Sequence, residues 1–138
     1  PTKIRPASEA LVRRILSGRS LPMINNVVDA GNLASAETLI PIGLYDLDKI
    51  VGEPVLRFAR EDEEFIDLTG KIRKLERNTI VLADDVGIIH IFPHRDSLRT
   101  MIDWSTQRVL IVACGVKNVP AELVDYAVQK VIYYLKIL

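Results

Sequence analysis

The sequence predicts a mixed α/β fold: a single domain with helices packed on mostly antiparallel or mixed sheets. Three observations predict it. Residues 118–138, "NVPAELVDYAVQKVIYYLKIL", put Val124, Ala127, Val128, Val131 and Leu135 on one helical face behind Pro120. Residues 79–92, "TIVLADDVGIIHIF", read as two β-rich arms around a turn at "ADDVG". A length of 138 residues suits one domain with a core large enough to fold without a disulfide or a metal.

The elements follow in order. "ASEALVRRILS", residues 7–17, reads as a helix with Leu11, Val12, Ile15 and Leu16 as its apolar face, entered after Pro6 and stopped by Gly18. "LPMINNVVDAG" reads as a strand or extended chain near Met23–Val28, closed by Gly31. "NLASAETLI" reads as a short helix capped by Asn32 or Ser35 and ended by Pro41. "PIGLYDLDKIVG" reads as a turn-rich loop with one helical turn. "PVLRFAR" alternates as a strand, "EDEE" at 61–64 reads as a solvated turn, and "FIDLTG" leads into a further strand. "RVLIVACG" is a short apolar run that reads as a buried strand.

Composition narrows the function classes. Lys plus Arg and Asp plus Glu both number 18, so no global charge draws the chain to nucleic acid or an anionic membrane. Local patches stay open: Lys3, Arg5, Arg13, Arg14 and Arg19 form one, and Lys71, Arg73, Lys74 and Arg77 another. The single cysteine, Cys114, cannot form an internal disulfide and fits a reducing compartment. No run is long and apolar enough to cross a membrane, and no signal-peptide pattern is present. The default location is therefore the cytoplasm. The start at "PTKIRP", without methionine and directly before a helix, reads either as a missing upstream portion or as a deliberately bounded domain.

Several groups could carry chemistry. Asn25, Asn26 and Asp29 place two amides and a carboxylate in an apolar stretch. They either grip a polar ligand or tie an irregular backbone together, because buried polar atoms must be paired. "HIFPHRDSLRT" supplies His90, His94, Arg95, Asp96, Arg99 and Thr100. Pro93 separates the histidines and no third ligand is fixed by spacing, so no metal is expected. His90 reads as a satisfied sheet residue. The arginines could take phosphate bidentately or could be ordinary surface charge. Asp84 and Asp85 are accounted for by their turn. Cys114 reads as a buried core thiol. No cofactor motif is present.

Together "INNVVDAGNLASAE", "PIGLYDLDKI", "VLADDVG" and "STQRVLIVACG" resemble the B3/B4 domain of the phenylalanyl-tRNA synthetase beta chain and the stand-alone proteins built on that domain. The resemblance covers nearly the whole chain. It implies a phenylalanyl-tRNA synthetase B3/B4-like fold, with tRNA or aminoacyl-tRNA as partner and no cofactor. In bacterial synthetases the family domain hydrolyses tyrosine wrongly esterified to the tRNA for phenylalanine. On that footing Asn25 or Asn26 would line the aminoacyl pocket and Asp29 would brace it. Gly43, Tyr45 and the segment from Pro93 to Asp96 would approach the cavity, and Arg95 and Arg99 would contact phosphate or ribose. Asn25 would serve the oxyanion, Thr100 would orient water, and His94 would be the general base. Gly43 stands where the bacterial motif has histidine, Ile111 where it has glutamate, and "FPHRD" where it has a glycine-rich loop. The expected function is binding of aminoacyl-tRNA with hydrolysis of a mischarged ester in trans. The alternatives are a non-catalytic RNA- or small-molecule-binding module and an interaction domain docking through helix 120–138.

Overall fold

The structure is a computed structural model that describes residues 6–21 and 24–138. It is mixed α/β, with three α-helices and eight strands among those residues. The chain divides into two compact units, one from Pro1–Leu44 and Ile111–Leu138, the other from Tyr45–Leu110.

The first unit holds three helices. Helix α1 runs Ala7–Leu16 and ends at Gly18, whose φ of 81° suits glycine. Leu11 and Val12 are half-buried, but Ile15 and Leu16, expected on the same face, are exposed. Helix α2 runs Asn26–Thr38. This corrects two expectations. Residues Asn26–Val28 are helical rather than extended, and the helix is capped by Asn25 rather than by Asn32 or Ser35. Met23 lies outside the described residues. Gly31, expected to close the segment, sits inside the helix because a Cβ there would meet Leu44 Cδ1 at 2.5 Å. Leu39 takes the left-handed C-cap, φ 62°, and its N–H donates to Ser35 O.

Strand β1, Ile42–Asp46, replaces the expected loop at Gly43 and Tyr45, and a 3-10 turn at Leu47–Lys49 supplies the helical turn. Strand β8, Val109–Ala113, forms a two-stranded sheet with β1, and helix α3 runs Ala121–Ile137 from Pro120. The β8 residues are half-buried rather than buried, whereas Cys114 just beyond is buried. The core of this unit is Ala30 and Ala34 of α2 against Val131 of α3, flanked by Ile42, Leu44, Ile111 and Leu135. The two alanines lie one turn apart on one face, so α3 can approach closely. Ala127 and Val131 are fully buried, as the helical periodicity predicts. Across the same helix pair Tyr134 donates to Glu37 at 2.7 Å and Lys130 sits 3.5 Å from the same carboxylate.

The second unit is antiparallel. Strands β2 (Val55–Phe58), β5 (Ile80–Ala83), β6 (Ile88–Ile91) and β7 (Arg95–Asp96) form a four-stranded sheet in the order β2-β5-β6-β7. Strands β3 (Glu64–Ile66) and β4 (Ile72–Lys74) form a hairpin. The core is Ala59, Phe65, Val81, Ile88 and Ile91, with Leu75 against it. The β5–β6 turn is the expected one: Asp84 N–H donates to Gly87 O at 3.0 Å, and Asp84 Oδ1 accepts from the N–H groups of Val86 and Gly87. The "EDEE" turn also forms, with Asp62 left-handed at φ 57°. Its Glu63 is not merely solvated, because both of its oxygens take the Arg57 guanidinium, at 2.7 and 2.6 Å. A cis peptide joins Phe92 and Pro93.

Candidate functional site

The segment from His94 to Thr100 concentrates the chemistry of the second unit. It leaves β6 through Pro93, pairs back as β7, and ends in a 3-10 turn at Leu98–Thr100. Ser97 caps that turn, its hydroxyl accepting from Arg99 N–H.

Asp96 is the hub of one network. Its Oδ1 accepts from Tyr45 OH at 2.8 Å and lies 2.7 Å from His90 Nδ1. Tyr45 and His90 are both buried, and the Tyr45 and Phe92 rings each meet His90 edge-on at 6.3 Å. An N–H at Nδ1 would donate to the Asp96 carboxylate and fix the orientation of the ring. His90 is thus a sheet residue, as the sequence suggests, but one tied to two candidate residues. The continuous apolar run around it in β6 hints at its burial, whereas the link to Asp96 depends on the reversal at Pro93 and has no signal in spacing.

His94 differs. Its Nδ1 is buried and has no hydrogen-bond partner among the described residues. Burial, then the nearby Arg95 and His90, pulls its pKa below the ordinary imidazole value. The ring is therefore neutral at pH 7 and can accept a proton. Thr100 is fully buried and its Oγ1 also lacks a partner. Native proteins leave few such atoms unsatisfied, and those that remain call for water, a ligand or a catalytic role.

The two arginines are not equivalent. Arg95 Nη1 makes a 3.2 Å contact with Asp67 Oδ2, and the side chain stays partly exposed. Arg99 is committed: Nη1 and Nη2 straddle Asp84 at 3.0 and 2.7 Å, with further contacts to Lys49 O and Gly87 O at 3.4 Å. Asp84 is a fully buried carboxylate at that point. Asp67 is another buried carboxylate. The Thr69 hydroxyl and the Arg73 guanidinium, with the Lys71 and Thr69 amides, outweigh burial and hold it well below the usual carboxylate range. The basic cluster at 71–77 is thereby partly neutralised, because Arg73 Nε donates to Asp67 at 2.7 Å.

In the first unit, Asn25 and Asp29 form reciprocal caps on α2. Asn25 Oδ1 accepts from Val28 N–H at 2.9 Å, and Asp29 Oδ1 accepts from Ile24 N–H at 2.9 Å. This satisfies donors that a helix N-terminus leaves orphaned and places the acidic group where the helix dipole favours it. Replacing Asn25 by Ala is expected to cost about 1 kcal/mol in urea unfolding, and Asn25→Asp to cost less, because the cap acceptor survives. Asn26 is exposed, and Gly43 is buried in β1. Among the basic residues near the start, Arg13 pairs with Glu9 at 2.8 Å, while Lys3 and Arg5 lie outside the described residues.

The ten candidates therefore fall into two groups. Tyr45, His94, Arg95, Asp96, Arg99 and Thr100 belong to one compact unit, and Asn25, Asn26, Asp29 and Gly43 to the other. Among the described residues, no group of three or more His, Cys, Asp or Glu is arranged to hold a metal ion, and no helix is long and apolar enough to cross a membrane.

Comparison with known proteins agrees with these elements. The B3/4 domain family model matches residues 1–135. The chain is 32% identical over 110 residues to the phenylalanine–tRNA ligase beta subunit of Mycoplasma genitalium, covering 78% of this chain and 14% of that one. It is 36% identical over 96 residues to the beta subunit of Bartonella quintana, covering 70% and 12%. Against that of Fusobacterium nucleatum it is 33% identical over 109 residues, covering 79% and 14%. The chain thus spans about one seventh of the length of these relatives. A match over residues 1–135 leaves almost no residue outside it, and the chain belongs to the B3/4 domain family.

Proposed function

We propose that this domain binds the aminoacylated end of tRNA and hydrolyses a mischarged aminoacyl ester in trans. The observation that carries this reading is the pair of buried, unpartnered polar atoms, His94 Nδ1 and Thr100 Oγ1, on one short segment beside Arg95. A neutral imidazole and a hydroxyl are the groups that would accept a proton from water and orient it. An ester needs no covalent nucleophile, so positioning of water supplies much of the acceleration. Arg95, held by one contact only, is the cation available to a terminal phosphate. Asp96 would act through Tyr45 and His90 by holding their rings. Arg99 would keep the segment in place through Asp84.

The second reading, a binding module without turnover, draws on a different observation: Asn25, Asp29 and Arg99 are already satisfied within the protein. Anisotropy of tRNA carrying an amide-linked, non-hydrolysable aminoacyl group, against the same tRNA uncharged, tests recognition separately from hydrolysis. The reading expects at least tenfold tighter binding of the charged form, and an Arg95→Ala protein that binds both forms more weakly. Equal affinity for the two forms would contradict recognition of the acylated end.

A further inference from the structure

Strand β7 is two residues long, yet it occupies a full strand position. On one side it pairs with β6 through His90↔Asp96 and Ile91↔Arg95, and Ser97 N–H donates to Ile89 O at 2.8 Å. On the other side Ser97 bridges Asp67, just past the end of β3, in antiparallel sense. At Leu98 the chain turns into the 3-10 turn and leaves this track, while β3 and the start of β6 continue. What remains between them is a groove of roughly 390 Å³ with Glu64–Ile66 on one wall, Val86, Gly87 and Ile88 on the other, and Ser97, Leu98 and Arg99 at its end.

Short of that bridge, the β3 wall is a sheet edge with no strand beside it among the described residues. Leu75 N–H donates to Glu63 O at 2.9 Å and Asp67 N–H donates to Lys71 O at 2.9 Å. An antiparallel ladder bonds alternate residues, so Glu63, Phe65 and Asp67 face β4. The N–H and C=O groups of Glu64 and the N–H of Ile66 therefore point into the groove, while Ile66 C=O faces Leu98 N–H beside the Asp67–Ser97 bridge. Such an edge is a template for another strand.

We propose that this groove is a strand-addition site for an extended segment of a partner polypeptide, lying in the track that β7 vacates and antiparallel to β3. Backbone hydrogen bonds to Glu64 and Ile66 hold it, as in other recognition by strand addition. The side chains around the groove set its sequence. Ile66, Val86 and Leu98 are partly exposed apolar groups on its rim, and Phe65 and Ile88 are buried beneath, so alternate residues of the partner are apolar. Glu64 lines the groove away from the Asp67–Ser97 bridge; its exposed carboxylate lies 3.9 Å from the exposed Lys74 ammonium, and a cationic residue of the partner competes with Lys74 for it. A nucleic acid does not fit, because Arg99, the lining cation, is neutralised by Asp84.

The test uses the full chain and blocked pentapeptides with Val or Ile at alternate positions and Lys, Ala or Glu at one end. Amide hydrogen exchange is read residue by residue, and affinity by titration. The proposal expects the Lys-ended peptides to bind most tightly and to slow exchange at the Glu64 and Ile66 amides at least tenfold. It expects N-methylation of the peptide's alternate amides to weaken binding at least tenfold, and Glu64→Lys to reverse the preference to Glu-ended peptides. No binding by any peptide, or binding that leaves the Glu64 and Ile66 amides unprotected, overturns it.

Discussion

Asp84→Ala is expected to lower the unfolding free energy by about 3–5 kcal/mol, the range for breaking a buried charged pair from one side. The carboxylate is fully buried, accepts from the N–H groups of Val51, Val86 and Gly87, and takes two Arg99 nitrogens. Removing it strands a half-buried guanidinium and frees the loop at Val51 from the β5–β6 turn. Asp84→Asn keeps an acceptor for the Val86 and Gly87 amides but loses the charge and the acceptor of Val51 N–H, so its cost should be smaller than that of Asp84→Ala without vanishing. The same site predicts an acid dependence. Burial opposes ionisation of Asp84, but Arg99 and the three amides outweigh it and lower the pKa to about 2. The unfolded chain titrates near the ordinary value of about 3.9. A depressed carboxylate contributes its stabilisation above the unfolded value and loses it as pH falls toward the folded one. Stability should therefore decline between about pH 4 and pH 2, with Asp67 adding to the decline in the same direction. In Arg99→Ala the Asp84 pKa rises and the decline begins at higher pH. Urea unfolding at pH 7 and across the acid range measures both. Equal stability of Asp84→Ala and the parent would remove the network from the account.

The second large effect concerns turnover. On the proposed function, His94→Ala should slow ester hydrolysis by about 10²–10⁴-fold, the usual contribution of a positioned general base. Affinity for the amide-linked aminoacyl-tRNA should change little, because proton transfer is absent from binding. The pH dependence follows from the ring's environment. A depressed imidazole is in its base form at neutral pH, so the rate should hold below the ordinary imidazole value of about 6.5 and fall only in more acid solution. Single-turnover kinetics from pH 5 to 8, at a folded fraction matched by circular dichroism, measures this. A rate in His94→Ala equal to the parent's would assign the base elsewhere.

The sequence reports some parts of this structure better than others, and the reasons are local. Helix α3 and the β5–β6 hairpin are legible because one face or one turn decides each: Ala127 and Val131 lie at helical spacing, and Asp84 supplies the turn acceptors. The start of α2 is misread because its apolar run conceals the cap, and because Gly31 looks like a terminator. In the structure Gly31 is the place where Leu44 comes close. Strand β1 is taken for a loop because Pro41 precedes it and Gly43 lies within it, although the Tyr45 side chain is fully buried. Asn25 and Asp29 stand out in the sequence for a sound reason, being polar in an apolar stretch. Their capping bonds depend on where α2 begins, which composition does not reveal. The segment from His94 to Thr100 stands out by residue type alone. The difference between a committed Arg99 and a lightly held Arg95 comes from Asp84 and Asp67, which are 15 and 28 positions away.

The most direct test of the central claim is single-turnover hydrolysis of a panel of mischarged aminoacyl-tRNAs by the parent protein, with Thr100→Val beside it. The account predicts accelerated release of one class of amino acid over the protein-free rate, and a loss of most of that acceleration when the Thr100 hydroxyl is removed from a folded protein. No acceleration with any ester, from a protein that binds the amide-linked tRNA, would contradict it.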